Sequence, residues 1–140
     1  MKHLLLAFLV LFTAISFAQD STTVKAETPK IITKLQNGAT YNHEDISIKF
    51  IKVVTDSRCP KNVMCIRAGE AEVLVAVFNK GKKVEEKLLK ILPTATLQNT
   101  LNLIFKTEAF SISGFNLLPY PENGFNIKAE DYVLQLQVSN

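Results

Sequence analysis

A chain of 140 residues carrying 16 Lys plus Arg against 13 Asp plus Glu, for a formal charge of +3, is of single-domain size and weakly basic. Its lysines are scattered and its aromatic residues lie mostly inside apolar runs, which argues against nucleic acid as a partner. Two cysteines, Met64 and the one histidine beyond residue 18, His43, are too few ligands for a zinc or blue-copper centre, so neither metal nor other cofactor is expected.

The chain opens with "MKH", the apolar run "LLLAFLVLFTAISFA" and the small residues Ser16 and Ala18. That order reads as a signal peptide over residues 1–18, cleaved after Ala18. The run is shorter than the ~20 residues that span a bilayer. No cysteine follows it to accept lipid. The expectation is an exported protein, periplasmic or secreted, with no lipid anchor and no transmembrane anchor after processing. Residues 19–29, rich in Ser, Thr and charge, read as a flexible leader, and residues 30–140 as a single β domain.

Within that domain the apolar spacing is short and mostly of period two. Strands are expected at 31–35 and 46–54, separated by the turn "QNG" and the polar stretch "YNHED". His43, in that stretch, reads as a solvated turn residue. The nearly continuous run "AEVLVAVF" predicts a strand in mid-sheet, covered on both faces. "NKGK" then turns the chain into residues 83–92, where a returning strand is preferred to a helix. Further strands are expected at 101–105, 110–113 and 115–118, and "PENG" is a turn. The closing "YVLQLQVS" puts Tyr132, Leu134, Leu136 and Val138 on one face, with Gln135 and Gln137 towards water. About seven short strands without a convincing long helix predict an all-β fold, an antiparallel β-sandwich or partly open barrel.

The stretch "TDSRCPKNVMCIRAGEAEV" gathers both cysteines and both arginines of the chain. An even number of cysteines in an exported protein predicts a disulfide between Cys59 and Cys65, which closes a loop too short to determine the fold. Asp56 and Ser57 carry short side-chain oxygens suited to bonding backbone amides in a turn, Pro60 stiffens the ring, and Gly69 is placed for a positive φ or a bulge. Arg58 and Arg67 are expected to make exposed ion pairs with Asp56, Glu70 or Glu72, each worth about 0–1 kcal/mol.

The segments "DSRCPKNVMCIRAGEAEV", "LLPYPENG" and "EDYVLQLQV" together resemble a family of small exported bacterial proteins and lipoproteins of unestablished function. The resemblance rests on a DSRCP segment, a second cysteine near Ala-Gly, a Pro-Tyr-Pro turn and a closing Asp-Tyr strand. It spans most of residues 46–138 and implies family without activity. Arg67 stands where that family usually has tryptophan, and the lipobox cysteine of its lipoprotein members is absent.

No catalytic constellation is legible. His43 is the one histidine outside the leader, the paired carboxylates Glu44 and Asp45 or Glu85 and Glu86 lie in charged stretches, and no glycine-rich phosphate loop occurs. The reading is therefore a non-enzymatic binding or structural module of the cell envelope or secretome, with an unknown protein or envelope component as partner. Its candidate interaction loop comprises Asp56, Arg58, Lys61, Met64 and Arg67. The alternative is an inhibitor of an extracellular hydrolase that offers the closed loop 59–65, with Lys61 or Met64 entering a pocket. A loop that only staples the fold would turn Val63 and Met64 into the core; an inhibitor loop would show them to solvent.

Overall fold

The computed structural model describes residues 30–93 and 102–139. The signal peptide and leader assigned to residues 1–29 lie outside these described residues. Eight strands are present: β1 (Lys30–Gln36), β2 (Thr40–His43), β3 (Ile46–Asp56), β4 (Ala71–Asn79), β5 (Lys82–Ile91), β6 (Leu103–Lys106), β7 (Ser111–Leu118) and β8 (Val133–Ser139). They form two four-stranded sheets, ordered β1-β8-β7-β6 and β2-β3-β4-β5. All the pairings are antiparallel. The fold is a β-sandwich rather than a closed barrel.

Alternation decides which residues meet between the sheets, because successive side chains leave a strand on opposite faces. Ile46, Ile48 and Phe50 of β3, Ala71, Val73, Val75 and Val77 of β4, and Leu89 and Ile91 of β5 line one inner face. Ile112, Leu117, Leu134, Leu136 and Val138 supply most of the other. Each fully buried aliphatic or phenylalanine side chain contributes about 1.5–3 kcal/mol relative to exposure, so this layer dominates the favourable side of folding. Residues 83–91 of the expected 83–92 fold as strand because Leu89 and Ile91 alternate inward while Val84 and Leu88 face out. A two-residue turn at Lys80 and Gly81, both with positive φ, makes β5 the immediate return of β4.

Several local expectations need correction. The segment with His43 is not a solvated turn: β2 pairs with β3, and the half-buried imidazole meets Phe110 edge to face, with centroids 4.6 Å apart. The alternation there is short and its polar letters hide it. Residues 110–113 and 115–118 belong largely to one strand, β7, whose register shifts between Gly114 and Asn116. β4 does lie in mid-sheet, but Leu74 and Phe78 on its outer face are only half-covered. Gln137 is buried instead of facing water, because β8 is central and Ile32 of β1 and Ser113 of β7 flank it. Gln135 is half-buried, and its side-chain oxygen accepts a hydrogen bond from Asn116.

Candidate functional site

The link between β3 and β4 leaves the sandwich beside the link between β7 and β8. Two adjacent backbone contacts close its base: the Ser57 amide donates to the Glu70 carbonyl and the Cys59 amide to the Ala68 carbonyl, each at 2.9 Å. The Ser57 hydroxyl bonds the same Glu70 carbonyl and accepts from the Glu70 amide. This narrow neck requires glycine at position 69. Gly69 has φ +68°, and a Cβ there would lie 1.8 Å from the Ser57 carbonyl oxygen. The positive φ expected from the sequence is present, with a close backbone approach that composition alone does not reveal.

Beneath the neck sits Arg58, only 3% exposed. Its Nε and one terminal nitrogen donate to the two oxygens of Asp56 at 2.8 and 2.6 Å, a bidentate pair. The guanidinium also donates to the carbonyls of Leu117 at 2.6 Å and Pro119 at 3.1 Å, and lies 5.1 Å from the centroid of the Tyr120 ring. Asp56 accepts further bonds from the Arg58 amide and the Tyr132 hydroxyl. One arginine thus ties the end of β3 to the end of β7 and, through Asp56, to the start of β8. The expected Asp56 to Arg58 pair is present, but it is buried, so the small value of an exposed pair does not apply.

Arg67 behaves differently. It is exposed and makes no ion pair among the described residues. The carboxylates expected to receive it are engaged by Lys90, which lies 2.9 Å from Glu70 and 3.6 Å from Glu72. The register of β4 with β5 explains this, since Glu72 and Lys90 are direct cross-strand partners. The Glu70 contact, with Glu72 behind it, raises the pKa of the Lys90 ammonium.

Cys59 and Cys65 are joined in a disulfide. Loop closure over so short a separation stabilises by about 2 kcal/mol in the chain-entropy account. Lys61 docks the ring onto the neighbouring link: its amide donates to the Pro121 carbonyl and its ammonium lies 2.9 Å from Glu122. Beyond that anchor the side chains turn outward. Val63 is 39% exposed, while Met64 at 100% and Ile66 at 104% are as open as in an extended peptide. Phe125, 77% exposed, stands in the adjacent link, where its amide donates to the Glu122 carbonyl. Val63 and Met64 therefore do not enter the core.

Sequence reasoning placed the loop but missed four of its working parts. Tyr120 and Tyr132 sit in the Pro-Tyr-Pro and Asp-Tyr segments, which were legible as motifs without a role. Ile66 and Phe125 carried no signal, since an apolar residue in a loop does not announce which way it points. Among the described residues no group of three or more His, Cys, Asp and Glu could hold a metal ion. No family model, curated protein or solved structure matches the chain.

Burial pushes the Tyr132 phenol up to about 12, with the Asp56 charge and hydrogen bond adding to the effect. An unfolded chain loses this proton near pH 10, so the folded state holds one proton more between about pH 10 and 12. The resulting stability is complete below the unfolded value and lost as pH rises through the folded one. Urea unfolding should show a fall in stability across that window. Tyr132→Phe should make the fall shallower, at a cost of about 1 kcal/mol at neutral pH for the lost hydrogen bond. Parallel curves for the two proteins would mean that folding does not raise the pKa of the phenol.

Proposed function

We propose that this protein is an exported, non-catalytic β-sandwich module that binds a partner protein through the tip of residues 59–66. The observation that carries this reading is the contrast within one loop. Its base is closed by backbone bonds and a buried ion pair, while Met64 and Ile66 stand wholly outside the molecule. Exposed apolar side chains cost solubility, and a loop already held in one shape loses little entropy on binding. Export is proposed on the signal peptide read at residues 1–18 and agrees with the disulfide, which persists in oxidising compartments.

The exposure of Val63 and Met64 also favours the narrower reading of an inhibitor that inserts this loop into the cleft of an extracellular hydrolase. Lys61 is occupied by Glu122, so Met64 is the residue offered to the pocket.

A photoreactive amino acid in place of Met64, expressed in the exporting cell, tests the proposal. It should give a discrete adduct that is absent when the same group replaces Lys80, an exposed turn residue outside this loop. An adduct with a hydrolase of suppressed activity would support the inhibitor reading. Identical products from both positions, or none from position 64, would contradict a binding tip.

A further inference from the structure

The tip carries a charge that the rest of this region does not answer. Asp56 is taken by Arg58, Glu122 by Lys61, and Glu70 and Glu72 by Lys90, which leaves Arg67 exposed next to Ile66 without an ion pair among the described residues. A guanidinium is a planar fork that matches a carboxylate and sheds water more readily than an ammonium, so arginine is enriched where interfaces gain most of their energy.

Size and charge restrict what can cover this surface. Val63, Met64, Ile66 and Phe125 are four exposed apolar side chains, where a flat, stable protein interface engages roughly 20–30 residues a side. A convex tip of this size buries enough surface only by entering a concavity. Two copies meeting tip to tip would set Arg67 against Arg67, and like charges facing each other disfavour association. An anionic lipid surface would gain only the weak attraction of a single charge, Arg67, because Glu122 already neutralises Lys61, the other cation of residues 59–67.

Resting on the binding reading above, we propose that Arg67 determines specificity: the partner is a folded protein whose concave apolar pocket receives Met64 and Ile66 and carries, at its rim, a carboxylate that pairs with Arg67. The apolar contact supplies most of the burial, and the ion pair selects among pockets of similar shape. Arg67 has no ion pair among the described residues, so its substitution should leave stability unchanged.

Arg67→Lys provides the probe, because its amine can be joined by a zero-length carbodiimide to a carboxylate in direct contact. In exporting cells this variant should yield an amide bond between position 67 and an Asp or Glu of the same protein that the photoreactive group at position 64 captures. Arg67→Glu should reduce that capture by at least about tenfold, with an unchanged unfolding midpoint. Capture at position 64 without coupling at position 67, or full capture by Arg67→Glu, would overturn this inference and leave the binding tip standing. Absence of capture at position 64 would remove both. Coupling to a second copy of the chain, or Arg67-dependent sedimentation with phosphatidylglycerol vesicles, would also overturn it by identifying a different occupant.

Discussion

Arg58→Ala should destabilise the protein by about 3–5 kcal/mol, the range for breaking a buried ion pair by removing one partner. The Asp56 carboxylate would remain at the interior with only the Tyr132 hydroxyl and the backbone amide at position 58, and the carbonyls of Leu117 and Pro119 would lose their donor. Against a typical total of about 5–15 kcal/mol, that loss is large enough for partial unfolding at ambient temperature. Arg58→Lys keeps the charge but cannot reach both Asp56 oxygens and both carbonyls together, and should cost about 1–3 kcal/mol. Urea unfolding of the two variants checks this. A cost below about 1 kcal/mol for alanine would place the pair in the class of exposed salt bridges and remove the rigid base.

Gly69→Ala should cost on the order of 3 kcal/mol and act on the neck of the loop. Two effects combine there. A left-handed backbone conformation penalises any L side chain by roughly 1–2 kcal/mol. The added Cβ would also lie 1.8 Å from the Ser57 carbonyl oxygen, so the two sides of the neck would have to part. Gly38→Ala separates the two contributions, since Gly38 has φ +82° but open space around its Cβ position. Thermal unfolding should show a small shift for Gly38→Ala and a clearly larger one for Gly69→Ala. Equal shifts would mean that conformation alone requires glycine at position 69.

The sandwich was legible because its inner faces are written in alternation, as in Ile46, Ile48 and Phe50 or Leu134, Leu136 and Val138. Failures came where alternation was too short or where a neighbour decided the outcome. β2 spans four residues with polar letters, and Gln137 is covered by strands distant in sequence. At the loop, residue types pointed to the disulfide, the positive φ of Gly69 and the pairing of Asp56 with Arg58, all governed by local chemistry. Arg67 was misassigned to Glu70 and Glu72 because sequence proximity cannot see a cross-strand partner, and Lys90 arrives through the β4 to β5 register. The outward direction of Met64, Ile66 and Phe125 depends on how two links pack at one end of the fold, which no local pattern encodes.

Amide hydrogen exchange at single-residue resolution in the native protein distinguishes a fixed base with an open tip from a loop that moves as a whole. The amides of Ser57, Cys59 and Lys61, which donate to Glu70, Ala68 and Pro121, should be protected, with Ser57 and Cys59 approaching the sheet amides. Those of Val63, Met64 and Ile66 should exchange close to the rate of an unstructured peptide. Fast exchange at Ser57 and Cys59 as well would rule out a fixed base, because a loop loose at its neck presents no fixed surface to a partner.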